Sequence, residues 1–378
     1  MKTFLIKNAV LIKDNQTRPN TSILVKDGKI AALDKMPVPT DIPVVDAHAS
    51  YVAPGFIDTH IHGFGGYGPE TSQPEDLLRL SEALARQGVT SFCPTLYSAP
   101  AEKITHQLNT LAPVIGQEKG AKIIGFHLEG PFISPDKPGV MKPQDILTPN
   151  VKLLETWYNA ARGKIAAITL APELPNLEPV LHFCSEHHIR VQAGHTNATY
   201  EQMMQGAQNG IIHVTHLFNA MRPFTHRAPH AAGAALMEDI FSCEIIADGV
   251  HVHPAVVSFL RKAKPAEKIV LVTDALRPTG QPEGSFIAND EEVILENGAW
   301  YRKADHTLAG SALTLLQGVR NLVAWGYSLP QALQCATVNP ARVLGLPLGD
   351  LNIGTSADFI LLSPQLELQA VYINGEKI

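Results

Sequence analysis

Five short runs of this 378-residue chain end in side chains of the kind that bind divalent metals. Asp58-Thr59-His60-Ile61-His62 closes one, and His127-Leu128-Glu129-Gly130-Pro131 another. Gly194-His195-Thr196, Thr215-His216-Leu217 and Thr273-Asp274-Ala275 close the rest. Imidazoles joined by one carboxylate suit a borderline ion, zinc first, with iron or manganese as alternatives, and leave a coordination position open for water. Such an ion brings the pKa of its water from about 15.7 toward 7, so that a nucleophile is available at neutral pH. A further carboxylate must then manage protons. Asp274, alone at the end of its run, is placed to accept one from water and hand it to a leaving amine. The expected ligands are His60, His62, Glu129, His195 and His216, holding one or two ions, with Asp274 as the acid–base group.

These residues act together only if the chain gathers them. Eight β-rich runs, over 56–62, 90–96, 123–129, 165–170, 189–194, 211–216, 241–247 and 269–273, alternate with segments of helical periodicity such as 74–87, 199–209 and 254–262. That order predicts the α/β class, a (β/α)8 barrel of the TIM type, whose chemistry lies at the C-terminal ends of its strands. Side chains alternate along a strand, so His60 and His62 share a face and His127 lies one step deeper than Glu129. By the same rule His213, three positions before His216, falls on the opposite face. One strand histidine is usually a packed residue, but six ligand-type groups at the same end of different strands are not a packing pattern. His106, His182, His187, His188 and His306 read as helix or loop residues.

The chain's two ends are different in kind. Strand-like alternation over 3–12, 22–25 and 30–33 surrounds the turn Asp27-Gly28, and the same pattern returns over 357–362 and 368–373 before Asn374-Gly375. Both ends are expected to build one small, antiparallel β-sandwich domain, residues 1–53 with 345–378, beside a barrel over 54–344. After the eighth run a hairpin is expected at Asn297-Gly298 and a helix over 311–325.

Composition narrows the class further. With 45% hydrophobic and 17% charged residues the chain can bury a large core. A formal net charge of -6 gives no basic footprint, so a small solute is a better partner than nucleic acid. No apolar run approaches the roughly 18 residues of a membrane span, and Lys7 and Lys13 interrupt the first apolar stretch, so neither anchor nor signal peptide is expected. Cys93, Cys184, Cys243 and Cys335 lie far apart with no Cys-x-x-Cys pair, which reads as reduced thiols in cytoplasm.

The ordered motifs Pro54-Gly55-Phe56-Ile57-Asp58-x-His60-x-His62, His127-Leu128-Glu129-Gly130-Pro131-Phe132, Gly194-His195-Thr196, Thr215-His216-Leu217-Phe218-Asn219-Ala220-Met221 and Thr273-Asp274-Ala275 resemble the amidohydrolase superfamily. Within it they are similar to the N-acetylglucosamine-6-phosphate deacetylase family, and the similarity runs on to Asn339-Pro340-Ala341-Arg342 and Gly354-x-x-Ala357-Asp358. The resemblance implies hydrolysis of an acetamido sugar phosphate to acetate and the free amino sugar, by a cytoplasmic homodimer. It implies a main metal site of Glu129, His195 and His216, with Asp274 as acid–base group. Retention of His60 and His62 favours a second metal.

For the substrate's phosphate the resemblance points to Arg227 and His251, the arginine reaching across a dimer interface. It gives Asn219 and Ala220 to the sugar and phosphate, Leu308 to the acetyl pocket, and the backbone N–H of Val140 to a sugar hydroxyl. Relatives carry a histidine where this chain has Met141, in Lys137-Pro138-Gly139-Val140-Met141. A thioether cannot replace an imidazole's hydrogen bonds, which keeps the galactosamine epimer or another acetamido sugar open beside glucosamine. Relatives that bridge two metals with a carbamylated lysine have it at the end of strand four. Here that end reads Thr169-Leu170-Ala171-Pro172-Glu173, and Lys164 precedes the strand. A non-catalytic sugar-phosphate-binding barrel is the reading from another class, and it has no use for Asp274.

Overall fold

Eight parallel strands follow one another around a barrel: Phe56–Ile61, Val89–Leu96, Phe126–Glu129, Ile165–Leu170, Arg190–Ala193, His213–Val214, Ser242–Ile246 and Ile269–Val272. In this computed structural model, which describes residues 3–34, 41–282 and 284–378, each of these strands pairs with the next in sequence. The seam between last and first closes just beyond the strands, where Asp274 N–H donates to the His60 carbonyl (2.9 Å) and His62 N–H to that of Ala275 (3.0 Å). Strands covered by helices outside and side chains inside are shielded on both faces, and Val89–Leu96 is buried at every position.

Most of the outer helices bury one stripe, whereas His230–Met237 buries five residues in succession, Ala231 to Ala235. Pro74–Ala85 starts on a proline that is pre-set for helix, with Glu75 and Asp76 in its first turn, and buries Leu77, Leu80 and Leu84. Tyr200–Gln208 opens on a reciprocal cap between Thr199 and Gln202. The main core between strands and helices holds Phe56, Phe92, Phe126, Trp157 and Phe241.

Three local expectations change. The third run is split into Lys122–Ile123 and Phe126–Glu129. At the break Gly125 packs so close that a Cβ would stand 2.9 Å from the Lys164 carbonyl oxygen. The helix expected from 311 begins at Leu315, because Thr314 caps it by accepting from Gln317 N–H. The hairpin at Asn297-Gly298 is the centre of a four-stranded antiparallel sheet, Ser285–Ala288, Glu291–Glu296, Ala299–Arg302 and Leu308–Ser311. It packs Trp300, Val293 and Ala288 over the barrel mouth against Tyr97, Ile133 and Met141.

The chain's ends do share one sheet. Tyr51–Pro54 runs antiparallel to Phe359–Leu362 on one side and parallel to Phe4–Lys13 on the other. Val44–Asp46 also runs parallel to Phe4–Lys13, so the sheet is mixed and not purely antiparallel. It curls until Ile30 N–H reaches the Thr355 carbonyl and Ala357 N–H that of Gly28, both at 2.9 Å, and its inner face encloses Phe4, Ile6, Ile23, Phe359 and Tyr372. No helix among the described residues is long and apolar enough to cross a membrane.

Candidate metal centre

His60 lies within the first barrel strand and His62 one residue past it, so alternation aims both at the axis. Glu129 is the last residue of the third strand. His195, His216 and Asp274 each stand two residues beyond their strand, and each has a positive φ, 45°, 26° and 50°. That left-handed step costs a non-glycine residue about 1–3 kcal/mol, and it ends the strand's alternation. It overturns the expectation that His213 and His216 face opposite ways. Both rings point inward, the His216 Nε2 to Glu129 (3.1 Å) and the His213 Nε2 to within 3.6 Å of Glu244.

The six groups converge. Glu129 Oε1 lies 3.1 Å from Nε2 of both His195 and His216 and 3.4 Å from that of His60, while Oε2 is 3.2 Å from His62 Nε2. Asp274 Oδ1 is 3.2 Å from His62 Nε2 and 3.6 Å from His60 Nε2. The donors form two sets of metal-ligating atoms, Glu129 with His195 and His216, and His60 with His62 and Asp274. Glu129 touches both.

Tautomers decide what these contacts mean. His60 Nδ1 sits 3.0 Å from the Glu244 carboxylate, His62 Nδ1 3.2 Å from the Thr95 carbonyl and His195 Nδ1 2.9 Å from the Lys137 carbonyl. All three partners are acceptors, so each Nδ1 carries the proton and each Nε2 presents its lone pair to a carboxylate. The Nε2 atoms of His195 and His216 also face each other at 3.2 Å. Acceptors crowded this closely repel unless a cation stands among them, and the donor set of imidazole and carboxylate fits a divalent metal. His60 Nε2 and His216 Nδ1 are, besides, buried without a hydrogen-bond partner.

The electrostatics agree. Burial works against charge on His60, yet Glu129, Asp274 and Glu244 outweigh it and raise its pKa well above the usual imidazole value. Burial likewise pushes Glu129 upward, but His60 and the close rings of His195 and His216 hold it well below the carboxylate range. A field that draws positive charge this strongly favours a divalent cation. His127 goes the other way. Burial and neighbouring His60 push it down to about 3, and it stays a neutral partner of Thr169 Oγ1 at 2.8 Å.

The donors open on a cavity of about 220 Å³ whose wall includes Val140, Asn219, Ala220, His251 and Leu308. His251 Nδ1 donates to Asp248 at 2.6 Å, which fixes the ring. Met141 lines the same cavity while packed in the apolar cluster with Tyr97 and Trp300. Arg227 is apart from them, on an exposed loop outside the cavity. The fourth strand ends at Leu170 with no lysine at the mouth.

Three further residues belong to the site. Glu244 is fully buried and takes the Nδ1–H of His60, the amide of Gln192 (3.1 Å) and the backbone N–H of His216 (3.2 Å). Its signal in the sequence was a carboxylate inside the apolar run 241–247. Asp58, in the first motif, accepts from Thr273 Oγ1 at 2.6 Å, and burial raises its pKa to about 7. Tyr97 stacks flat on His62, centroids 3.8 Å apart and planes within 3°.

This fold and site define a class, and the chain belongs to the amidohydrolase family, whose family model matches residues 51–378. It is 36% identical over 351 residues to the N-acetylglucosamine-6-phosphate deacetylase of Danio rerio, covering 88% of this chain and 86% of that one. It is 32% identical over 378 residues to the N-acetylgalactosamine-6-phosphate deacetylase of Escherichia coli O157:H7, covering 99% of each. A solved structure from Mycobacterium smegmatis, an N-acetyl-D-glucosamine-6-phosphate deacetylase point mutant in complex with N-acetyl-D-glucosamine-6-phosphate, superposes with a TM-score of 0.92. The two are 29% identical, over 100% of this chain and 99% of that one.

Proposed function

We propose that the chain hydrolyses N-acetylglucosamine 6-phosphate to acetate and glucosamine 6-phosphate. What carries this reading is the meeting of four imidazole Nε2 atoms with the Glu129 and Asp274 carboxylates at the inner end of a cavity walled by His251 and Leu308. A divalent metal held by Glu129, His195 and His216, and a second held by His60 and His62, would supply Lewis acidity and a water acidic enough to react at neutral pH, zinc being the first choice over iron or manganese.

The chain's own residues do the rest. Asp274 takes a proton from the attacking water and delivers it to the sugar nitrogen as the C–N bond breaks, so that acetate and a free amine leave. Leu308 receives the acetyl methyl, the Val140 N–H a sugar hydroxyl, and Asn219 and Ala220 the sugar and its phosphate. His251 and Arg227 bind the phosphate dianion, the arginine through its planar fork. Because Arg227 stands outside the cavity of its own chain, it serves the site of a second copy, and exposed Phe224, Met237 and Phe259 give the homodimer an apolar surface. We assign residues 1–53 and 345–378 to the β domain and 54–344 to the barrel. Four buried, unpaired cysteines support a reducing compartment, the cytoplasm.

A second reading, the galactosamine epimer, is favoured by Met141, a buried thioether on the cavity wall that cannot hydrogen-bond a sugar hydroxyl as an imidazole does. Acetate release from both 6-phosphorylated epimers and their unphosphorylated forms tests both readings. Turnover confined to phosphorylated substrates, with glucosamine preferred, is expected. A preference for galactosamine moves the assignment to the epimer, and no turnover by metal-loaded protein rejects both.

A further inference from the structure

The floor of the barrel, at the opposite end from the metal centre, holds a second cavity. Arg190, His213 and Ser242, at the starts of the fifth, sixth and seventh strands, meet Lys268 and Arg342 around a space of about 340 Å³, larger than the 220 Å³ at the mouth. The two cavities share no lining residue. One carboxylate, Glu267, lines the floor against three permanent cations, Arg190, Lys268 and Arg342, a surplus of two positive charges.

Those cations are poorly matched within the chain. Among the described residues Arg190 and Lys268 form no ion pair, and the Arg190 Nε–H is buried without an acceptor. Arg342 donates only to neutral groups, the Glu267 carbonyl and the Asn339 side-chain oxygen, both at 3.3 Å. Native proteins rarely leave a buried donor unmade, because it loses its water without gaining a partner. Burial also lowers the Arg190 pKa, the response of a cation stripped of solvent without a compensating anion. Ile212, Ile240 and Val343 supply an apolar wall beside the cationic one.

We propose that this floor cavity binds the dianion of a small phosphate monoester, Arg190 and Lys268 holding its phosphoryl group and the isoleucines its organic part. The guanidinium fork matches phosphate oxygens two at a time, and the ammonium adds the second charge. The ligand is a different molecule from one bound at the mouth, and the site does not depend on deacetylase activity.

Titration calorimetry of the metal-loaded full chain with inorganic phosphate, at constant ionic strength, tests it. Arg190→Met and Lys268→Met should each weaken one class of phosphate site by about tenfold or more. Arg227→Ala should leave that class unchanged. Lys268 is only partly buried, so its variant keeps the test valid if Arg190→Met fails to fold. Wild-type isotherms in the floor variants, or equal uptake of chloride, would overturn the proposal.

Discussion

Asp274 is held by its backbone N–H on the His60 carbonyl at 2.9 Å, and its Oδ1 stands 3.2 Å from His62 Nε2. Asn has the same shape but cannot take up a proton. Asp274→Asn is therefore expected to lower kcat by roughly a hundredfold or more while KM changes little. Metal at Glu129, His195 and His216 should persist, as measured by elemental analysis. Wild-type kcat at full metal occupancy would move the proton transfer to another group. Glu244 acts one bond further out, on the His60 ring. Gln in its place can turn an N–H toward His60 Nδ1, where the ring's own N–H already points. Glu244→Gln should then weaken metal affinity about 10- to 100-fold without touching a metal, the usual scale for an outer hydrogen-bond partner. Chelator competition reads this directly, and unchanged affinity would make Glu244 a packing residue.

At the scale of elements, the inserted sheet over the mouth is where sequence and structure diverge most. Trp300 is fully buried beneath it and donates Nε1–H to Thr279 Oγ1 at 3.0 Å, with Met141 and Leu276 in the same cluster. Trp300→Ala should cost about 3–5 kcal/mol by leaving a cavity, while Thr279 Oγ1 loses one donor but keeps its own bond to the Ser311 carbonyl at 3.1 Å. Because Leu308 lies on the sheet's last strand, KM should rise as well. Urea unfolding with parallel kinetics checks both, and a loss under about 1 kcal/mol would mean that the sheet collapses to fill the space. The sheet's central hairpin was legible at Asn297-Gly298, but the outer strands were not, because Ser285–Ala288 and Leu308–Ser311 are four residues each, too short for alternation to register, so pairing and not pattern holds them. The barrel strands were legible from buried apolar runs, and the convergence of the candidate ligand groups from their place at strand ends. Periodicity failed where the backbone left it. His216 turns inward through a left-handed φ that no spacing rule contains, and Glu244, a lone carboxylate in the run 241–247, has a partner ring that only the folded chain brings beside it.

On the scale of the whole molecule, one residue of the proposed site lies outside the cavity of its own chain. Arg227 lies on an exposed loop outside the cavity, close in sequence to exposed Phe224. In a symmetric dimer an arginine reaching from one copy to the other's mouth would be given and received alike. Two damaged chains can then repair each other. Asp274→Asn lacks the proton carrier but retains its arginine, and Arg227→Ala is the reverse. A mixed dimer contains one site with Asp274 from one chain and Arg227 from the other. Mixing the two variants in equal amounts after dissociation should restore roughly a quarter of wild-type activity at low substrate, since random pairing makes half the dimers mixed and each has one intact site of two. If Arg227 serves its own chain, every site in the mixture has a lesion, and activity never exceeds the mole-weighted average of the two variants.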